Sequence, residues 1–266
     1  MSLIQAIIIA IIEGLTEFLP VSSTAHMKFA NPLIGVSENA FTDLFEIVIQ
    51  LAAILSVVVL YYKQFFDFKK IRFYIKLIIA LIPAIIGGIL LKKHIDAMLS
   101  NLVFIAIVMI AGGIILLFID RLFTKPVIRD QDSVSYKNAL VIGCYQVLSI
   151  LFPGLSRSAA TIIGGLAEKL DRRTAAEFSF FLAVPTMLAA SVKSFWDVHN
   201  DHPEVFAKDS MILLAVGSVV AFIVALIAIR FFITYLQKHG FRLFGYYRIL
   251  AGSVILLLVW KGIIHQ

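Results

Sequence analysis

Charge is scarce in this 266-residue chain. Asp, Glu, Lys and Arg together make up 15% of it, whereas 61% of the residues are apolar. A water-soluble domain carries about 25% charged and about 45–50% apolar residues, so the excess needs a solvent other than water. The same imbalance excludes an intrinsically disordered chain. One cysteine, Cys144, cannot close an intrachain disulfide and leaves the redox compartment open. Fifteen glycines and seven prolines are too few for a collagen-like chain. Also absent are a GxxxxGK[ST] loop, a CxxC pair and an HExxH helix, which removes the common nucleotide-phosphate, redox and zinc-protease motifs. His94, His199, His202 and His239 fall in stretches read as loops and lack metal-ligand spacing. Nothing points to nucleic acid.

What is present is long apolar runs. Met211–Ile229 and Leu102–Ile119 contain no charge, and mean hydropathy over the chain is +0.97. A membrane helix needs about 20 apolar residues at 1.5 Å each. Four further segments, about 44–62, 73–91, 176–195 and 243–263, are shorter or enclose a charge, with Glu46 and Arg248 inside two of them. Two more, about 3–34 and 138–168, are apolar but interrupted, at Pro20-Val21-Ser22-Ser23-Thr24 and at Pro153-Gly154-Leu155-Ser156-Arg157-Ser158. Irregular backbone survives at membrane depth only where protein or a watery cavity satisfies its polar groups. The N-terminal run lacks a basic leader and holds Glu13 and Glu17, so it reads as part of the fold and not as a signal peptide.

Charge sidedness chooses between topologies. If both interrupted segments are re-entrant and the other six cross, sixteen Lys and Arg, Arg248 among them, share one side. Lys28, Lys92, Lys93, Lys193, Lys208 and Lys261 take the other, and Arg157 stays in the break. A single crossing by the second interrupted segment flattens the ratio to twelve against ten. The positive-inside rule favours the first arrangement. It places both termini outside, together with the loop 194–210 that carries Asp197, Asp201, Glu204 and Asp209. Tyr61, Tyr62, Trp196, Tyr246, Tyr247 and Trp260 fall near span ends, where amphipathic rings prefer the interface.

The two interrupted segments also resemble each other at an offset of 133. Glu13 matches Gln146, Thr16 matches Ser149, Pro20 matches Pro153 and Ser23 matches Ser156, while Glu46 and Glu177 correspond at 131. Each half reads as a hairpin plus three spans, an odd number, so the second half is upside down and the two breaks meet near the midplane. The expected fold is an all-α polytopic membrane protein with six transmembrane helices plus two re-entrant helical hairpins. It forms one integral membrane domain, residues 1–266, as an inverted-topology repeat of roughly 1–133 and 134–266.

The breaks hold the chemistry. Glu13 and Glu17 are one helical turn apart and share a face. Either they face water at a helix end, or they form a divalent-cation site with oxygen ligands suited to Mg²⁺ or Ca²⁺. Ser22 or Ser23 suits the N-cap of a returning helix, but one cap does not account for Ser22, Ser23 and Thr24 together. Ser22 and His26 are four apart, and an imidazole beside carboxylates can act as base, acid or nucleophile. In the second break Arg157 stands alone between Lys137 and Lys169, flanked by Ser156, Ser158 and Thr161. A helix N-terminus with an arginine and hydroxyls suits a phosphate oxyanion; the alternative is an internal pair with Glu13 or Glu17. Glu46 and Gln50 share a face and could join this polar centre. Lys76 can snorkel, and Gly87-Gly88, Gly112-Gly113 and Gly164-Gly165 suit close helix packing.

The stretch from Glu13 to His26, EGLTEFLPVSSTAH, resembles the first signature of the bacterial undecaprenyl-diphosphate phosphatase family, also called the bacitracin-resistance protein family. Pro153 to Thr161, PGLSRSAAT, resembles the second. The resemblance implies a multi-pass enzyme of the bacterial cell membrane that removes the terminal phosphate of undecaprenyl diphosphate. That regenerates the lipid carrier for peptidoglycan and confers bacitracin resistance. It also implies a site opening to the outer face and a need for a divalent cation. Glu13 and Glu17 are implied as metal or acid–base residues, and His26 and Ser23 as candidates for the catalytic group; attack by His26, by Ser23 or by water that His26 activates stays open. Ser22, Ser156, Arg157, Ser158 and Thr161 are implied as the substrate grip. The expected partners are the polyprenyl diphosphate and membrane lipids; a homodimer is left open. The rival expectation is a lipid-phosphate transporter or flippase using the same midplane anion site.

Overall fold

The computed structural model describes residues 1–91, 98–99 and 101–264; Lys92, Lys93 and His94 lie outside the described residues, as do the side chains of Glu204 and Asp209. The described residues are helical and contain no strand, only a single parallel bridge between Ile128 and Leu170. The helices are α1 (Leu3–Thr16), α2 (Ser23–Leu33), α3 (Ala40–Leu60), α4 (Tyr62–Phe65), α5 (Ile71–Leu90), α6 (Leu102–Leu122), α7 (Tyr136–Leu151), α8 (Arg157–Ala167), α9 (Arg172–Asp201), α10 (Lys208–His239) and α11 (Arg242–Trp260). Six of them, α3, α5, α6, α9, α10 and α11, are long and apolar enough to cross a membrane, as the hydropathy reading expects. Their outer faces keep large aliphatic side chains exposed, such as Ile78, Ile82, Ile85, Ile86 and Ile89 along α5. Water would penalise such a row; lipid does not.

Both interrupted segments form two short helices each. With 14 and 11 residues, α1 and α2 are about 21 and 16 Å long at 1.5 Å per residue, and neither covers the ~30 Å hydrocarbon core. The same holds for α7 and α8, with 16 and 11 residues. Ser2 and Ser135 begin α1 and α7 with matching capping boxes that satisfy N-terminal N–H groups reciprocally.

Helix pairings come in matched sets. α1 packs on α10 and α7 on α5; α6 packs along α11, and α3 on α9. Small residues permit the approach. A Cβ on Gly14 would meet the Ala221 carbonyl at 2.7 Å, one on Gly143 the Ala80 carbonyl at 2.2 Å, and Gly113 and Gly245 face each other's carbonyls at 2.8 Å. Of the three glycine pairs expected to serve packing, Gly88 does not, because nothing lies within 4 Å of its Cβ position. The largest core cluster joins Phe18, Phe178, Phe180, Phe181, Phe232 and Phe244 beneath the breaks.

Several expectations need correction. The stretch 194–210 is not an open loop: α9 continues to Asp201, followed by a short 3₁₀ turn at Pro203–Phe206. Thirty residues make α9 about 45 Å long, more than the ~30 Å that a hydrocarbon core requires. His199 is therefore in α9 and His239 ends α10. Lys76 reaches the connection after α6, where Nζ donates to the carbonyls of Gln131 (2.8 Å) and Asp132 (2.9 Å). In the same connection Asp130 accepts from the hydroxyl and N–H of Ser133, which hold its carboxyl below the usual aspartate range.

Candidate active site

Each break is built around one serine in an unusual backbone conformation. Ser22 has φ 72° and Ser156 φ 75°, values that L-residues seldom adopt. Each is also an N-cap: Ser22 Oγ accepts from the Ala25 N–H (3.4 Å), and Ser156 Oγ from the Ala159 N–H (3.3 Å). The structural correspondence of the caps is therefore Ser22 with Ser156, an offset of 134, in place of the Ser23–Ser156 match read at 133. Strain of this kind costs about 1–3 kcal/mol and persists where surroundings over-determine it.

A cavity of about 130 Å³ lies between the breaks, lined by Glu17, Ser22, Ser23, Thr24, Gln50, Ser156, Arg157 and Met187. The first turns of α2 and α8 both contribute, so two helix N-termini face one space. Glu17 continues the helical backbone of α1, with its N–H on the Glu13 carbonyl at 2.9 Å. Its carboxylate is engaged on both oxygens: Oε1 accepts from Arg157 Nη2 (2.8 Å) and Oε2 from Ser23 Oγ (2.6 Å). Arg157 also reaches the Ser179 carbonyl with Nη1 (3.3 Å). Of the two readings of Arg157, the internal pair is the one seen, with Glu17 as partner; its side chain is 13% exposed and still lines the cavity.

The other expected residues are placed differently. Glu13 is fully buried, does not line the cavity, and has no hydrogen-bond partner on either carboxylate oxygen. Ser158 Oγ donates to the Leu19 carbonyl (2.8 Å), and Thr161 Oγ1 lies 2.9 Å from the Arg157 carbonyl and 2.6 Å from Ser179 Oγ. Both are buried and brace the breaks from behind. His26 is outside the lining too. Nδ1 lies 2.7 Å from the Ser22 carbonyl and Nε2 2.6 Å from Tyr247 Oη, with the two rings parallel within 4°. A carbonyl only accepts, so Nδ1 carries a proton, and when the ring is neutral Nε2 accepts from the Tyr247 hydroxyl. Glu46 accepts from Asn31 Nδ2 (2.6 Å) away from the cavity, while Gln50, one turn on, lines it. Glu177 pairs with Arg173 (2.8 Å) near the start of α9.

The sequence reading gave no place at the site to three residues: Met187 in the lining, Tyr247 on His26, and Arg248. Counting charges put Arg248 with the loop cations; it is instead completely buried and bonded to backbone carbonyls of both breaks. The available signal was an arginine inside an apolar stretch, which requires a partner.

The sequence pattern of the family described as bacitracin resistance protein BacA matches residues 6–254. The chain belongs to that family. It is similar to an undecaprenyl-diphosphatase of Flavobacterium johnsoniae, 52% identical over 97% of this chain and 96% of the relative. Proteins of the same name from Porphyromonas gingivalis (47% identical, 99% of each chain) and Bdellovibrio bacteriovorus (43%, 98% of each) are similar along their full lengths as well. The BacA match spans both breaks, so Glu17, Ser23 and Arg157 all lie inside the matched region.

The carboxylates available to a divalent cation are Glu17 in the cavity lining and Glu13, buried one turn behind it. Among the described residues no three of His, Cys, Asp and Glu gather as a self-sufficient metal cage. Magnesium, however, is commonly held by one or two carboxylates together with substrate phosphates. Glu13 supplies two buried oxygens without partners, and each Glu17 oxygen retains a lone pair.

Proposed function

We propose that this chain hydrolyses undecaprenyl diphosphate to undecaprenyl phosphate and inorganic phosphate in the cell membrane, with the cavity between the breaks as its active site. The observation that carries the reading is the continuous chain Ser23–Glu17–Arg157: a hydroxyl, a base and an anion grip, linked at 2.6 and 2.8 Å. At about 130 Å³ the cavity is far below the ~300–1,000 Å³ of drug-sized ligand sites, which suits a phosphate head while the prenyl tail stays in lipid. The short helices and matched pairings support re-entrant hairpins in an inverted repeat of residues 1–133 and 134–266. On that topology the termini face outside, and the family resemblance favours a site that opens on the same side.

In the proposed mechanism Ser23 Oγ attacks the terminal phosphorus, and the bond from that phosphorus to the bridging oxygen breaks. The hydroxyl proton passes to Glu17 Oε2 and on to the departing undecaprenyl phosphate. Water then attacks the phosphoserine, giving its proton to Glu17, which returns it to Ser23 Oγ as inorganic phosphate leaves. Arg157 and the N-termini of α2 and α8 stabilise charge on the transferring group, the main demand in phosphoryl transfer. Glu13 and Glu17 would hold the divalent cation, which neutralises diphosphate charge when bound. His26 is the less favoured nucleophile because both of its nitrogens are engaged.

Arg157→Lys keeps a cation but loses the fork that matches a phosphate edge; its turnover is expected to fall at least about 10²-fold. Phosphate release measured in detergent micelles, which have no two sides, decides between hydrolysis and transport. Parental turnover by Arg157→Lys removes the grip, and no release by the parent protein removes the enzyme. A phosphoenzyme trapped by acid quench and lost in Ser23→Ala supports the serine route; retention of the label on His26 replaces it.

A further inference from the structure

The side chain of Arg248 is completely buried in α11 and faces five backbone carbonyls. Nη1 donates to Pro20 (3.0 Å) and Leu155 (2.8 Å), Nη2 to Gly154 (2.8 Å) and Val108 (3.5 Å), and Nε to Met109 (3.2 Å). Among the described residues no carboxylate pairs with it. A buried cation without a counter-ion is costly, and here the five carbonyls offset that cost. Three of the five acceptors belong to the breaks, where interrupted helices leave carbonyls without intrahelical partners and hydrocarbon offers none. Pro20 precedes Ser22 and Ser23; Leu155 adjoins Ser156 and Arg157. One rigid fork therefore ties the strand of backbone that carries the nucleophile to the one that carries the anion grip. Neighbouring residues make room for it: a Cβ on Gly112 would come within 2.4 Å of Nη2.

We propose that Arg248 is a positioning residue for phosphoryl transfer, a cross-brace whose simultaneous bonds to Pro20, Gly154 and Leu155 set the separation between Ser23–Glu17 and Arg157. The proposal rests on the active-site reading given above. The planar guanidinium holds both breaks at once with fixed geometry, which a flexible ammonium cannot reproduce. A displacement of about 1 Å in a reacting group can cost 10²-fold in rate, so loosening the brace is expected to act on kcat far more than on KM.

The test uses the full-length protein purified in detergent, with undecaprenyl diphosphate as substrate. Arg248→Gln is expected to lower kcat at least about 10²-fold with KM within about threefold of the parent, and Arg248→Lys to recover part of that loss. Turnover of Arg248→Gln within threefold of the parent overturns the proposal. So does a kcat that is parental once corrected for the folded fraction by size exclusion and thermal melting, since that outcome is a stability role alone. If Arg248→Gln does not fold, Gly112→Ala retains the arginine but pushes its Nη2 off the carbonyls. A drop of about tenfold in kcat is then expected, and an unchanged value overturns the brace. Arg157→Lys run in parallel separates the two levels. Full activity there defeats the site reading, whereas its loss beside a normal Arg248→Gln defeats the brace alone.

Discussion

Glu13 and Glu17 stand one turn apart on α1, yet their environments divide the labour. Glu17 has both oxygens occupied, by a guanidinium and a hydroxyl; Glu13 has neither. A fully buried carboxylate without donors needs a cation or a proton; under the proposed function the cation is the metal, and Glu13 is the residue that tests it. Glu13→Gln is expected to raise the divalent-cation concentration for half-maximal phosphate release by about tenfold or more, the range already seen when mere outer-shell partners are lost. A superimposable metal titration would remove Glu13 as a ligand. His26 offers a second contrast. Its Nε2 is held by Tyr247, so Tyr247→Phe frees the one nitrogen able to attack or take a proton. If His26 only buttresses the Ser22 carbonyl, turnover changes less than about threefold while melting falls by the ~0.5–1.5 kcal/mol of one hydrogen bond. A larger rise or collapse in kcat would bring the imidazole into the reaction.

At the scale of the element, the two breaks are the informative structures. Ser22 and Ser156 pair a strained φ with a capping hydroxyl, and these demands pull in different directions. Glycine relieves the backbone but forfeits the hydroxyl; alanine forfeits the hydroxyl and keeps the strain. Ser156→Ala is therefore expected to melt below Ser156→Gly, by about 0.5–2 kcal/mol for the lost cap against only a few tenths with glycine. That order is the inverse of helix propensity, and finding propensity order instead would mean that the break relaxes. Much of this level is readable in the chain. Hydropathy locates the six spans, and proline beside hydroxyls locates the interruptions. The reading stops where periodicity carries no information. Nothing in the residues near 201 marks where α9 leaves the apolar layer, since polar residues continue a helix as well as end one. Glycine and serine at a break do not specify which serine caps, hence the slip between 133 and 134. Arg248 is the plainest case: a charge count treats every arginine as solvent-facing, whereas carbonyl acceptors released by a break 93 residues away are visible only in three dimensions.

On the scale of the whole molecule, the proposed active site is divided between the two halves of the chain. Ser23 and Glu17 come from the first, Arg157 and the brace Arg248 from the second. The helices are divided likewise: α1 packs on α10, α5 on α7, α3 on α9 and α6 on α11, each contact joining one half to the other. Neither half can then bury its apolar faces by itself. The covalent link between them is less integral. Thr124, Lys125 and Pro126 are exposed, and regular anchoring resumes only at Val127 and Ile128, whose N–H groups donate to the Lys169 carbonyl at 2.8 and 3.0 Å. A chain cut between Thr124 and Lys125 should therefore lose connection but not complementarity. Membrane-helix association depends on packing and on satisfied polar groups more than on tethering, and loop closure adds only a modest, slowly growing entropy term. Residues 1–124 and 125–266 made as separate polypeptides are each expected to release no phosphate above background, and to regain at least about a tenth of parental activity when produced together. Introducing Arg157→Lys into the second piece should abolish the regained activity, and Ser23→Ala in the first should do the same. Activity from either piece alone would mean that the catalytic groups do not meet across the repeat. Failure of the pair to copurify would show that the connection after α6 contributes more to assembly than its exposure suggests.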